Sequence, residues 1–364
     1  MKHETRYRMP AEWERQQAVM LTWPHANTDW QPCLGDINRT MTEVAKAVAR
    51  HEDVLIVAPF ESDVPEEVRR LDNAWLFRCP TDDTWARDHG PVTLLAEGRK
   101  PLWLDFQFNG WGRKFPADYD NCITIKLWSL TSYFDEVDFE NHDDFVLEGG
   151  SIESDGKGTV FTTAPCLLAP NRNQPLTQEE IEQELKRRLR AERIVWLNAS
   201  PLPGDDTDGH IDTLMRCAPD DTLLYVPQLE DEVSRLRTLE GKPYRLIALP
   251  TPLPIIEDGQ PLPATYANFL VINGAVIVPT YGQPDNDREA VRQIGEAFPG
   301  RDIIPIDSRT IIRQHGSIHC MTMQLYSWRG EERKGEKGTE RGVKGIERDN
   351  SFANGKTIVS FTPL

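Results

Sequence analysis

The segment Gly316-Ser317-Ile318-His319-Cys320 places a thiol at the end of the patterned part of the chain. Two earlier segments, Gly209-His210-Ile211-Asp212 and Trp85-Ala86-Arg87-Asp88, supply a histidine and two aspartates beside glycine or turn residues. These are the parts needed to attack a guanidinium carbon. A thiolate is the nucleophile, a histidine can move a proton to the departing nitrogen, and two carboxylates can grip a planar fork of N–H donors bidentately. That chemistry is deimination. His210 and Asp212 are two apart, so in extended backbone they point to one face, one toward the leaving group and one toward the body of the substrate. Asp88 lies in TDDTWARDHGP, a run without apolar alternation that is closed by Gly90-Pro91. Trp85 within that run is an indole amid charges, costly to expose and suited to stacking on a planar cation. Glu148-Gly149-Gly150, after Phe145-Val146-Leu147, adds a further carboxylate at a strand end.

Each feature has a plainer reading. A free cysteine is usually a small buried hydrophobe. TDDTWARDHGP could be a surface loop in which Arg87 and the acids neutralise one another, and Glu148 an exposed hairpin residue. The run Asp205-Asp206-Thr207-Asp208 resembles part of a calcium loop but lacks the interior glycine and the closing glutamate. A zinc site drawn from His89, His210, His315, His319 and Cys320 has no H-E-x-x-H or C-x-x-C spacing. The concurrence of Cys, His and Asp in short motifs at loop positions, where function concentrates, favours chemistry.

The elements that hold these residues recur along the chain. Residues 18–24 (AVMLTWP) form an apolar strand that leads through a loop to a helical pattern at 37–50 and a second apolar strand at 54–59. The same grammar runs 159–164, 178–189, 194–198; then 222–227, 230–239, 244–249; and 275–280, 288–298, 303–307. A further copy starts at 102–108 and passes Asn121 to an apolar stretch at 123–130. About five units of roughly 50–65 residues are typical of radially repeated folds. Thr177 followed by Glu180 is a capping box, and Asp287 before Arg288 is another candidate cap. Residues 1–328 read as a single domain. From Arg329 onward charge and glycine break the grammar, so 329–364 read as a charged, disordered tail in which 357–361 could pair as a short strand.

Of the 364 residues, 41 are Lys or Arg and 58 are Asp or Glu, a formal net charge of −17. Such acidity argues against nucleic acid or an anionic membrane as partner and suits a cationic substrate, although surface carboxylate also serves solubility. No apolar run approaches the roughly 18 residues of a membrane span. Residues 1–10 are polar without an apolar h-region, and the six cysteines are scattered without a C-x-x-C pair. The cytoplasm is the expected location.

Together these residues resemble the agmatine deiminase and bacterial peptidylarginine deiminase family, guanidine-modifying enzymes of the pentein superfamily. WARDHGP (85–91), FNGWG (108–112), LEGG (147–150), TDGHID (207–212) and IHCMTMQ (318–324) carry the resemblance, which covers nearly all of residues 10–327. It implies an α/β fold, a five-bladed α/β propeller of pseudo-five-fold ββαβ repeats. It also implies Cys320 as nucleophile, His210 as general acid and base, and Asp88 and Asp212 as guanidinium clamps. Glu148, Trp85, Trp111 and Asp206 would bind substrate. The implied protein is a hydrolase, a homodimer that needs no metal and no organic cofactor and turns agmatine into N-carbamoylputrescine and ammonia in polyamine metabolism.

Peptidyl arginine is the alternative substrate. The absence of a secretion signal favours the small metabolite, whereas GSIHC departs from the GGGNIHC form of established agmatine deiminases and leaves the substrate open. An arginine deiminase or dimethylarginine hydrolase would need a cation for the α-carboxylate, for which Arg87, Arg113 and Arg172 are candidates. A propeller that binds a cation without turnover is a further rival. In every enzymatic version, carboxylates near the thiol oppose its ionisation, so the thiolate is expected mainly with the cation bound.

Overall fold

The computed structural model describes residues 6–130 and 137–326. The charged tail expected at 329–364 lies outside the described residues. Five sheets surround a common centre. Gln16–Thr22 and Asp53–Ala58 pair in parallel, and both are almost wholly buried, as their near-continuous aliphatic runs require. Between them runs the helix Leu34–Ala49, which buries Ile37, Met41, Val44, Ala45 and Val48 at helical spacing. Those side chains join Val54 and Ile56 in one core cluster, each large one contributing roughly 1.5–3 kcal/mol by leaving water.

The other four sheets repeat a three-stranded plan in which a short first strand pairs antiparallel with a second, and the second pairs parallel with a third. In chain order they are Val92–Leu94, Leu102–Gln107 and Asp138–Val146; then Ile152–Ser154, Thr159–Thr163 and Arg193–Leu197. Next come Met215–Ala218, Thr222–Tyr225 and Arg245–Ala248, and last Leu270–Ile272, Ala275–Thr280 and Asp302–Asp307. The first sheet follows the same plan with its opening strand borrowed from the far end of the described residues and with a fourth strand, Ala74–Arg78, added in parallel beyond Asp53–Ala58. Thr322–Tyr326 pairs antiparallel with Gln16–Thr22, Met323 opposite Met20, and so closes the ring. A hairpin, Ile255–Glu257 with Gln260–Leu262, lies outside the repeat. This is the five-bladed α/β propeller with ββαβ units.

The helices depart from expectation in two places. The pattern at 230–239 yields only the single turn Glu230–Val233. The helix expected from Arg288 begins earlier, spanning Pro284–Ala297, so Asp287 is not its cap. Its carboxylate instead accepts from the backbone N–H of Tyr281 (3.0 Å) and Gln283 (2.8 Å), bracing the loop that enters the helix. The capping box on Gln178–Leu189 forms as expected, Thr177 and Glu180 each accepting from the other's backbone.

Each blade's first strand is the edge of its sheet and yet fully buried, so it faces the centre of the ring. The turn just before each first strand therefore opens onto the axis. Asp88, Glu148, Asp212, Asn268 and Cys320 occupy those five turns, two to four residues ahead of their strands.

Candidate active site

The five axial turns bring their side chains into contact. Cys320 Sγ lies 3.6 Å from Asp212 Oδ2 and 3.4 Å from Asn268 Oδ1, and the Cys320 backbone N–H donates to the same Asn268 oxygen at 3.3 Å. Burial pushes the Cys320 thiol well up, and Asp212 and Asp88 add to the effect. Asp88 accepts from Gly150 N on one oxygen and from Trp111 Nε1 on the other, both at 2.9 Å. Burial pushes its carboxyl up to about 6, restrained by His210 and reinforced by Asp212 and Glu148.

His210 is wholly buried, with Nδ1 3.7 Å from Asp88 Oδ1. Burial opposes its charge, but Asp88, Cys166 and Glu148 outweigh burial and hold its pKa well above the ordinary imidazole range. Asp212 is also wholly buried. Burial alone would raise its carboxyl; the hydrogen bond from His319 Nδ1 at 2.7 Å, with the charges of His319 and His210, brings it below the usual range. The second ring nitrogen of His319 meets Glu12 Oε1, also at 2.7 Å.

Asp212 Oδ1 and both His210 ring nitrogens have no hydrogen-bond partner among the described residues. An unpaired buried polar atom costs about 1–3 kcal/mol, and here such atoms meet beside a thiol. A planar cation with a fork of donors would satisfy the carboxylate and present its carbon to Cys320 Sγ.

The local backbone differs from the extended reading of His210 and Asp212. Ile211–Thr213 is a 3₁₀ turn, and both side chains reach the axis from its start rather than by strand alternation. TDDTWARDHGP is likewise not a surface loop, since Ala86–His89 is a helical turn with all four residues buried. Trp111 sits in Gly110–Arg113, a run of positive φ throughout, Trp111 itself at 54°. Such a bend costs of order 1–3 kcal/mol, and it brings the Trp111 indole to Asp88.

A narrow cleft leads from the surface to Asp88 and Cys320 between Trp85, Trp111 and Phe115. Trp85 meets Trp111 edge to face at 6.4 Å and donates from Nε1 to Asp83 at 3.1 Å. A Cβ on Gly316 would lie 2.1 Å from the Trp85 ring, which explains the glycine ahead of the cysteine. Asp29, Asp83 and half-buried Asp206 stand along the cleft. Burial, together with nearby Asp29, pushes Asp83 up to about 7.

No Arg or Lys lines this cleft among the described residues. Arg172 is fully engaged: Nε donates to Glu148 at 3.0 Å, NH1 to Asp208 at 2.7 Å and NH2 to the Thr207 carbonyl at 3.0 Å. It braces the Glu148 turn against the loop that carries His210. Arg87 turns to His319 O, Met323 and Gln324, and Arg113 is exposed. Of the histidines and the cysteine considered as zinc ligands, His210 alone belongs to a cluster with ligand spacing, and its companions are Glu148 and Cys166.

Of the eight residues singled out from sequence, Trp85, Asp88, Trp111, Asp206 and Cys320 line the cleft, whereas His210, Asp212 and Glu148 are wholly buried outside its lining, Glu148 as an ion-pair member rather than an exposed hairpin residue. Asn268, Gly150, Arg172 as a brace and Cys166 were not anticipated as parts of the site. The signal for Asn268 was its place just before the apolar run Phe269-Leu270-Val271-Ile272, the position Cys320 holds before its own strand.

Comparison with known proteins adds sequence and fold relatives. The chain matches the model of Porphyromonas-type peptidyl-arginine deiminase over residues 8–325. It is 33% identical to an agmatine deiminase of Pseudomonas aeruginosa over 357 residues, covering 87% of this chain and 95% of that one. Among solved structures, a candidate arginine deiminase from Porphyromonas gingivalis is 43% identical with TM-score 0.81, covering 89% of this chain and 99% of that one. A cysteine-to-serine variant of C. jejuni agmatine deiminase with substrate bound is 35% identical with TM-score 0.81, covering 90% and 98%.

Proposed function

The chain belongs to the Porphyromonas-type peptidyl-arginine deiminase family, whose curated relatives here are agmatine deiminases, and from that premise we propose that it hydrolyses the guanidinium of agmatine to a ureido group. The observation that carries the reading is the Asp212 carboxylate 3.6 Å from Cys320 Sγ with its other oxygen partnerless among the described residues, and the wholly buried His210 ring 3.7 Å from Asp88. Asp88 and Asp212 clamp the guanidinium and fix its carbon against the sulfur. The cation offsets the carboxylates that keep the thiol neutral, so Cys320 loses its proton to solvent once substrate is bound. The sulfur pair forms the C–S bond, and protonated His210 gives its proton to a departing nitrogen, which leaves as ammonia. Neutral His210 then takes a proton from water, hydroxide adds to the amidino-thioether carbon, and the C–S bond breaks to return the thiolate while the added hydroxyl releases its proton to solvent and becomes the ureido carbonyl. The products are N-carbamoylputrescine and ammonia.

Agmatine rather than free arginine fits the cleft because agmatine's other end is an ammonium. Asp29, Asp83 and Asp206 line the cleft, and among the described residues no Arg or Lys lines it to hold an α-carboxylate. Peptidyl arginine is the second reading, favoured by a wider groove continuous with the cleft and bordered by exposed Phe60 and Tyr119. Ammonia release with agmatine, free arginine and a peptide with internal arginine separates them. Turnover of agmatine alone is expected, peptide turnover alone would replace the substrate, and silence with all three would leave a cation-binding propeller. The six unpaired cysteines fit a reducing compartment, and we place the enzyme in the cytoplasm.

The clamp carries a pH signature. Asp88 must be ionised to grip the cation, and its carboxyl is raised to about 6 in the free protein. As pH falls through that value a proton occupies the clamp, so kcat/KM for agmatine should fall about tenfold per pH unit below it. A kcat/KM profile flat down to the ordinary aspartate range, near 3.9, would remove Asp88 from the clamp.

A further inference from the structure

The chemistry proposed above leaves the buried thiols of Cys79, Cys166 and Cys217 without a task, and of these Cys166 stands beside His210. Cys166 lies in the single helical turn Ala164–Leu167, directly after the strand Thr159–Thr163. It is wholly buried, as are Glu148 and His210. One sulfur, one ring nitrogen and one carboxylate oxygen from these three residues all lie within 4.8 Å of one another. Among the described residues neither His210 ring nitrogen has a hydrogen-bond partner in ordinary geometry, and the Cys166 thiol is one of the groups that raise its pKa.

Sulfur, imidazole nitrogen and carboxylate oxygen form the donor set that a soft divalent cation takes up. Tetrahedral zinc, with sulfur at about 2.3 Å and nitrogen or oxygen at about 2.0–2.1 Å, spaces its ligands about 3.4–3.6 Å apart, so the cluster would close by little more than about 1 Å. A carboxylate offers about four lone-pair sites, which leaves Glu148 able to bind a metal while Arg172 donates to it. A thiolate and a carboxylate would also neutralise a doubly charged ion at a buried position.

We propose that Glu148, Cys166 and His210 form a chelating site for a soft divalent cation such as zinc, and that filling this site stops turnover by removing His210 from proton transfer. The Cys166 thiol and the imidazolium each release one proton to solvent as the M–S and M–N bonds form, and the metal changes no oxidation state. The inhibitory half rests on the role given to His210 above; the binding half does not.

Cobalt(II) is the probe for binding, added to full-length Cys320→Ala protein, in which the nucleophilic sulfur cannot contribute. A thiolate-to-cobalt charge-transfer band is expected at one ion per chain, displaced by zinc and lost when Cys166→Ala is added. With Cys320 intact, zinc should inhibit agmatine turnover, and Cys166→Ala should raise the half-inhibiting zinc concentration roughly 100-fold. Cys166→Ser serves should the alanine variant unfold, thermal unfolding reporting on both. Absence of the band, its survival in Cys166→Ala, or an unchanged half-inhibiting concentration overturns the site. A band without inhibition overturns the inhibitory half and, with it, the proton-transfer role of His210.

Discussion

Replacing Cys320 by alanine should lower kcat for agmatine by about 10⁴-fold or more, because no neighbouring group can take over covalent attack. Asp88 and Asp212 remain, so agmatine should still bind, with a Kd by calorimetry within roughly tenfold of wild type, since the sulfur makes contacts at 3.4 and 3.6 Å that the clamp does not require. The split between lost turnover and kept binding is the diagnostic. Retained turnover would end the thioether mechanism, whereas joint loss of binding and turnover would mean that the thiol supports the clamp. Because burial and two carboxylates hold the Cys320 thiol neutral, the ultraviolet absorbance of thiolate should grow when guanidinium is added to wild type and stay flat in the alanine variant. Thiolate absorbance at neutral pH without any cation would contradict substrate-dependent ionisation.

Gly150→Ala is expected to be nearly as severe although Gly150 has no side chain to react. Its φ is not in the left-handed region, so alanine suits the backbone and the cost is one of space. A Cβ there would stand 2.6 Å from His210 Nδ1, 2.9 Å from Asp88 Oδ1 and 3.1 Å from Asp212 Oδ2. One methyl thus presses on three site groups at once, all polar and all buried. A displacement near 1 Å at a reacting centre costs about 10²-fold, so kcat/KM should fall about 10²–10³-fold. Overpacking of this kind destabilises by about 1–3 kcal/mol, small enough for the variant to stay folded by circular dichroism. Activity within tenfold of wild type in a folded Gly150→Ala protein would mean that these three groups do not act together.

The legibility of the fold depended on element length. Second strands, helices and third strands are long enough to show periodicity, so Thr159–Thr163, Gln178–Leu189 and Arg193–Leu197 stand nearly where the pattern put them. The first strands, such as Val92–Leu94, Ile152–Ser154 and Leu270–Ile272, are three residues long and carry no period. They are the strands that aim the site. Cys320, His210, Asp88 and Asp212 were still recognisable because their chemistry is scarce and flanked by glycine or proline. Asn268 was not, since a lone asparagine before an apolar run also reads as a turn. Arg172 was misjudged for a different reason: a sequence shows its charge but not that Glu148, Asp208 and the Thr207 carbonyl use up all of its donor nitrogens.

The closing strand gives the molecule an internal order of events. Cys320 stands two residues before Thr322–Tyr326, whose partner is Gln16–Thr22 at the other end of the described chain. Asp88 and Glu148 belong to blades made much earlier in synthesis, so a growing chain could assemble most of the ring while still without its sulfur. Hydrolytic competence would then arrive in one step, when the last strand zips against the first. Catalysis in this protein is therefore a readout of circular integrity, and anything that pries the two ends apart should silence the enzyme before it melts a single blade.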